Sequence, residues 1–215
     1  MLHQFLDIVL HLDVHLNEWI TQFGSAVYWI VFLIVFAETG LVVTPFLPGD
    51  SLLFALGALC AGTGAFLQIP ILLPGFLVAV FLGDNLNYFV GRFAGTRLFR
   101  NPNSRIFRRE YLERTEMFYG RHGGKMVILA RFAPILRTFS PFVAGMARMA
   151  YSQFLAYSVG GSAAWVSLFL GAGYFFGNLP AVKRNFHIVI LAILVISALP
   201  ALIEAWKMRS QRARA

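Results

Sequence analysis

Phe36-Ala37-Glu38-Thr39-Gly40-Leu41-Val42-Val43-Thr44-Pro45-Phe46-Leu47-Pro48-Gly49-Asp50 is apolar apart from two carboxylates and two threonines, and prolines and glycines interrupt it. A second stretch has the same character with the opposite charge: Ala130-Arg131-Phe132-Ala133-Pro134-Ile135-Leu136-Arg137-Thr138-Phe139-Ser140-Pro141. Holding a charge at bilayer depth costs at least ~2.5–3.5 kcal/mol on insertion scales. Leucine would pack better at all four positions, so Glu38, Asp50, Arg131 and Arg137 mark a polar site inside a membrane protein. One segment supplies its negative charge and the other its positive charge.

Composition agrees. Hydrophobic residues make up 58% of the 215-residue chain and charged residues 13%, whereas a soluble domain is about a quarter charged. The 22 phenylalanines gather in runs such as Trp29-Ile30-Val31-Phe32-Leu33-Ile34-Val35-Phe36. A single membrane domain over 1–215 is expected, with about four to six embedded elements. The lone Cys60 leaves no partner for a disulfide and no thiolate cluster for a metal. The N-terminal stretch lacks the basic start and cleavage site of a signal peptide.

The net charge of +8 is unevenly placed. No lysine or arginine precedes Arg92, nine of the 18 lie between Arg92 and Lys125, and Lys207, Arg209, Arg212 and Arg214 close the chain. Nucleic-acid binding is the weaker explanation of such patches, because cytoplasmic loops collect Lys and Arg. The basic loop 92–125 and the tail 207–215 are therefore expected in the cytoplasm, against anionic lipid headgroups.

Residues 1–20 place Leu2, Phe5, Ile8, Val9, Leu12, Leu16, Trp19 and Ile20 on one helical face, the pattern of an amphipathic helix lying on the membrane. His3, His11 and His15 fit a solvated polar face better than a metal cluster, since no third ligand accompanies the His11/His15 pair. A span begins over Gly24–Phe36 and ends near Gly40. Residues 41–69 carry Pro45, Pro48, Gly49, Gly57, Gly62 and Gly64, too much punctuation for a continuous span. They read as a first re-entrant hairpin, which non-helical backbone at that depth permits only under cover of protein or a wet cavity. Ile69–Phe93 spans and carries Asp84, Asn85 and Asn87. Residues 104–121 form a charged surface helix, and 123–149, interrupted by Pro134, Pro141 and Gly145, a second hairpin. Two spans fill 151–206: Tyr151–Gly177, whose Gly160–Ala164 suits close helix packing within the chain or between subunits of a homo-oligomer, and Asn185–Trp206.

The expected fold class is thus an all-α polytopic membrane protein, an inverted repeat with two facing re-entrant helical hairpins, spanning helices and interfacial amphipathic helices. The basic loop makes the second hairpin enter from the cytoplasm and the first from outside. Tyr88-Phe89-Val90-Gly91 and Tyr174-Phe175-Phe176-Gly177 close the span after each hairpin, and inverted repeats of this kind are common in secondary transporters.

Opposed hairpin tips would bring Glu38 and Asp50 toward Arg131 and Arg137. A purely structural ion pair is one reading. The other adds a substrate: arginine offers a planar fork of donors matched to phosphate oxygens, and intramembrane carboxylates serve as proton carriers. Protonating an acid would release its arginine to an anion. Asp84 is either a third proton site or a packing partner, with Asn85 beside it. Thr138 and Ser140 either donate to an anion or satisfy broken backbone.

These motifs resemble the bacterial DedA family, whose members carry the SNARE-associated or VTT domain. The resemblance rests on Glu38-Thr39-Gly40 with Pro45-Phe46-Leu47-Pro48-Gly49-Asp50, on Gly83-Asp84-Asn85 with Tyr88 and Gly91-Arg92, and on Gly123-Gly124-Lys125 with Arg131-Phe132-Ala133-Pro134, Arg137-Thr138, Pro141 and Ala144-Gly145-Met146. It covers roughly residues 25–180, and Asp50 stands where many relatives have glutamate. The resemblance implies facing hairpins, a bacterial inner-membrane location with a cytoplasmic C-terminus, and a substrate-binding role for Glu38, Asp50, Arg131 and Arg137. It also implies transport of a lipid phosphate, undecaprenyl phosphate or a phospholipid, linked to the proton gradient and envelope homeostasis. A proton-coupled exporter of small cations or drugs is the alternative. An enzyme is not expected: a phosphatase needs a nucleophile with an acid–base partner, and neither hairpin contains a histidine. No cofactor, metal or nucleic-acid partner is expected.

Overall fold

A computed structural model of the chain describes residues 12–41, 49–62, 64–98, 124–131 and 134–197. Helix dominates those residues, as it must where lipid offers the backbone no hydrogen-bond partners. The helices are α1 (Leu12–Phe23), α2 (Val27–Gly40), α3 (Gly49–Cys60), α4 (Ile69–Leu98), α5 (Lys125–Ala130), α6 (Pro134–Met146), α7 (Tyr151–Phe176), α8 (Pro180–Arg184) and α9 (Phe186–Ser197). Three stretches among the described residues are long and apolar enough to cross a membrane: Val14–Gly40, Ile69–Phe93 and Tyr151–Phe176. Their outer faces carry exposed large apolar residues such as Trp29, Leu33, Phe93 and Phe175, a surface suited to lipid rather than water.

The packing explains how short helices are held beside long ones. α3 packs against α7, α6 packs against α4, and α2 also packs against α4. Two of these contacts are backbone-to-backbone and share one pattern. Gly57 of α3 abuts the Leu170 carbonyl while Gly173 of α7 abuts the Phe54 carbonyl. Gly145 of α6 likewise abuts the Tyr88 carbonyl while Gly91 of α4 abuts the Phe142 carbonyl. Each clasp pairs a Phe-x-x-Gly on the short helix with a large residue-x-x-Gly on the long one, and a Cβ at any of the four glycines would strike the opposite backbone. Small residues permit the close approach that drives association where no hydrophobic effect operates between helices.

The structure differs from sequence expectation in instructive places. Helix α1 buries Leu12 and Leu16 and exposes Asn17 and Glu18, and a 3-10 turn, Gly24–Ala26, with Gly24 at a left-handed φ of 53°, joins it to α2. The break in 123–149 falls between α5 and α6, not at Pro141 or Gly145, which lie inside α6. Pro134 opens α6, where its missing N–H is no loss. Pro141 removes only the hydrogen bond to the Arg137 carbonyl, and the Gly145 clasp holds that helix against α4. Arg148 takes a left-handed φ of 52° in the turn after α6, where the N–H groups of Arg148 and Met149 bond back to Gly145 and Ala144. Gly161 and Ser162 face inward whereas Gly160 and Ala164 face outward. Residues 1–11 of the amphipathic helix, the hairpin tip 42–48, the 104–121 helix and the basic tail lie outside the described residues.

Candidate functional site

Among the described residues, five buried charges form two units. Glu38, in the last turn of α2, is 1% exposed, and Asp50, in the first turn of α3, is 6% exposed. A carboxylate suits a helix N-terminus, where the backbone dipole is positive. Gly49 opens α3 because a Cβ there would run into the Glu38 carboxylate. Arg137, 4% exposed and one turn into α6, reaches both acids: its Nη1 donates to Asp50 Oδ1 at 2.5 Å and its Nη2 to Glu38 Oε1. Trp165 of α7 closes the unit. Its Nε1 donates to Asp50 Oδ1 at 2.8 Å, and its ring lies 4.4 Å from Arg137 Cζ. A guanidinium over an indole face is the strongest form of cation–π contact.

The second unit is built on Arg131, just before the α5–α6 break and 3% exposed. Its Nη2 donates to Asp84 Oδ2 and, at 3.1 Å, to Ser158 Oγ, while Ser158 Oγ in turn donates to Asp84 Oδ2. Asp84 is therefore a full member of the site, and Arg131 meets it instead of Glu38 or Asp50. The expected convergence of both arginines on both hairpin acids is corrected accordingly: α4 supplies its own acid halfway along, and Arg131 bonds to that one while Arg137 takes both hairpin acids. Ser158 and Trp165 share a face of α7, two turns apart, so the units are spaced about 10 Å along that helix.

Asn87, one turn after Asp84, ties the frame together. Its Nδ2 donates to the Thr39 carbonyl at 3.1 Å and to the Thr138 carbonyl at 2.7 Å, joining the end of α2 to α6. Asn85 points elsewhere: it accepts from the Tyr151 hydroxyl and donates to the Phe81 carbonyl. Thr138 and Ser140 are buried on α6. Arg92 is exposed and donates to the Tyr88 hydroxyl, which bonds to the Met149 carbonyl. A cavity of about 720 Å³ opens between the 61–70 connection and α7, with Leu67, Leu170 and Tyr174 in its walls; no charged residue of either unit lines it.

Sequence reasoning missed Ser158, Trp165 and the structural role of Asn87. A signal existed for the first two. Ser158, Ser162 and Trp165 recur at i, i+4 and i+7 in an otherwise apolar span, a stripe that faces one neighbour.

Chemically, the cluster holds three carboxylates against two guanidiniums, an excess of one negative charge with all five ionised. Buried charges survive only when paired and hydrogen-bonded, and every one of them has such a partner.

The VTT domain profile matches residues 47–175, which includes every site residue except Glu38 and Thr39. The chain is 52% identical over 215 residues to Protein DedA of Escherichia coli K12, covering 100% of this chain and 98% of that one. It is 43% identical over 193 residues to an uncharacterized membrane protein of Mycobacterium tuberculosis, covering 90% and 85% of the two chains. Against Inner membrane protein YqjA of Escherichia coli K12 it is 30% identical over 189 residues, 84% of each chain. No solved structure matches it. With a profile that takes in the paired arginines, and a full-length relative at this identity, the chain belongs to the VTT-domain, or DedA, family of membrane proteins.

Proposed function

We propose that this protein carries a lipid phosphate, undecaprenyl phosphate or a phospholipid, between the leaflets of a bacterial inner membrane, driven by the proton gradient. The observation that carries the reading is Arg137 held by two acids from two different helices in the membrane interior. Breaking those bonds is the only way to expose the guanidinium, and protonating the acids is the natural way to break them. The prenyl or acyl tail would remain in lipid while the headgroup crosses at the arginines. Interfacial basic segments would hold anionic lipids near the entry, with the C-terminus in the cytoplasm. The matched glycine clasps support reading α3 and α6 as arms of two re-entrant hairpins in an inverted repeat, because each short helix grips a long span through the same spacing. The name of the relative YqjA supports the inner-membrane location. No bond-making step is assigned to the site.

The test is reconstitution. In proteoliposomes carrying a labelled lipid phosphate, movement between leaflets should follow an imposed proton gradient and cease in Arg131→Gln and Arg137→Gln. Unchanged movement in both variants would defeat the assignment. The excess of one carboxylate over the arginines favours a second reading, a proton-coupled exporter of small cations or drugs. Under that reading Glu38→Gln and Asp50→Asn abolish transport while the arginine variants, once folded, retain it.

A further inference from the structure

We propose that the two arginines divide the work: Arg131, its guanidinium positioned by Asp84 and Ser158, grips the phosphate-type oxyanion, while Arg137 and its acids form a lock that opens when their bonds break. This rests on the lipid-phosphate reading and refines it. A guanidinium has five N–H donors. Those of Arg131 Nη2 are taken by Asp84 and Ser158, whereas Nε and Nη1 are buried and have no hydrogen-bond partner. Two of the three nitrogens of a fixed positive charge are thus left without a partner in the interior, a costly arrangement that an oxyanion with several acceptor oxygens would relieve. Arg137 leaves one nitrogen, Nε, without a partner, because each terminal nitrogen donates to an acid, and its one positive charge faces two carboxylates. An anion approaching that unit meets net repulsion, while the Arg131–Asp84 unit is neutral.

The neighbourhood of Arg131 is also shaped to leave its stem in place. Gly161 of α7 lies directly against it: a Cβ there would sit 3.0 Å from Arg131 Cδ and 3.2 Å from Nε. A glycine here keeps α7 from crowding the donors. On the other side, Ser158 bridges arginine and aspartate, so the guanidinium plane is fixed by two contacts on one nitrogen. The ligand class is a phosphate monoester or its free anion, whichever brings several strong acceptor oxygens to one guanidinium.

The experiment uses the full chain in detergent, monodisperse by size exclusion, and titrates three probes by calorimetry: inorganic phosphate, a short-chain prenyl phosphate and a short-chain phosphatidic acid. Binding of the lipid probes with much weaker inorganic phosphate identifies the headgroup of a lipid as the source; equal binding identifies the free anion chemistry as sufficient. Asp84→Asn should tighten binding by about tenfold, since it removes the competing carboxylate from a charge-assisted contact. A purely structural role for Asp84 would not raise affinity. Arg131→Gln should lose binding, and so should the charge-neutral Asp84→Asn/Arg131→Gln double variant, which strands no buried charge and guards against misfolding. Arg137→Gln should weaken binding by less than about tenfold, the scale of one lost contact. Binding kept in the double variant and lost in Arg137→Gln would overturn the division of labour while leaving the lipid-phosphate reading intact. A wild-type chain that binds none of the probes would overturn both.

Discussion

Arg137 and Arg131 flank the same helix break and are equally shielded from lipid and water, yet they are held in different ways. Arg137 is over-neutralised: two acids from separate helices and an indole face surround it. Arg131 has one acid, one hydroxyl and two nitrogens with no partner. The first arrangement resists opening and ties α2, α3, α6 and α7 together. The second leaves a charge fixed in place but incompletely used. The lesson is that buried arginines counted as equals in a sequence can have opposite duties, and the number of acids around each decides which.

Removing each guanidinium in turn tests that contrast most severely. Breaking one partner of a buried ion pair costs ~3–5 kcal/mol because the other charge stays buried. Arg137→Gln strands two carboxylates and should show the largest loss of stability in a thermal melt of the detergent-solubilised protein. Arg131→Gln strands only Asp84, which keeps its hydrogen bond from Ser158, and should lose clearly less. Equal losses would erase the distinction between the units.

Glu38→Gln comes next in size. It balances two arginines with two carboxylates and leaves Arg137 paired with Asp50. Its stability should therefore stay within ~1–2 kcal/mol of wild type, about the net value of one hydrogen bond, while proton-driven transport is lost. A large destabilisation instead would mean that the excess carboxylate is needed to hold the helices together.

Much of this was legible in the chain. Glu38, Asp50, Arg131 and Arg137 stood out because charge inside an apolar run has a known cost. The spans Ile69–Phe93 and Tyr151–Phe176 followed from length and hydropathy alone. What could not be read was partnership. Asp84 reads as a residue of the middle of a span, and only the fold puts it on Arg131, 47 residues away in the chain. Trp165 is one apolar residue among many in its span, and its Nε1–H finds a carboxylate only because α3 packs against α7. Pro141 read as a break because sequence counts the lost N–H but not the clasp at Gly145. In each case the deciding term is a contact between elements distant in the chain, which periodicity does not encode.

Trp165 offers a finer cut within the Arg137 unit. Trp165→Phe keeps a ring under the guanidinium but deletes the bond to Asp50, so a loss of ~1 kcal/mol is expected. Trp165→Leu removes the cation–π contact as well, adding up to ~2 kcal/mol at a desolvated site. If the two variants melt together, the ring contributes nothing and Arg137 is held by its acids alone.

The smallest expected effect is the most specific to Arg131, and it uses two adjacent glycines as test and control. At Gly160 an added Cβ meets nothing within 4 Å, so Gly160→Ala should gain the usual ~0.5–1 kcal/mol of an alanine in a helix interior and bind phosphate as the wild type does. At Gly161 the same methyl lies 3.0 Å from Arg131 Cδ, a contact that the flexible stem relieves by moving a few tenths of an ångström. That displacement offsets the helix-propensity gain, leaving stability near wild type, but it turns the Nε and Nη1 donors away from where they now point. Gly161→Ala should therefore weaken lipid-phosphate binding without lowering the melting temperature, whereas Gly160→Ala should raise the melting temperature and leave binding unchanged. Identical behaviour of the two variants would show that the orientation of Arg131 is not what the ligand reads.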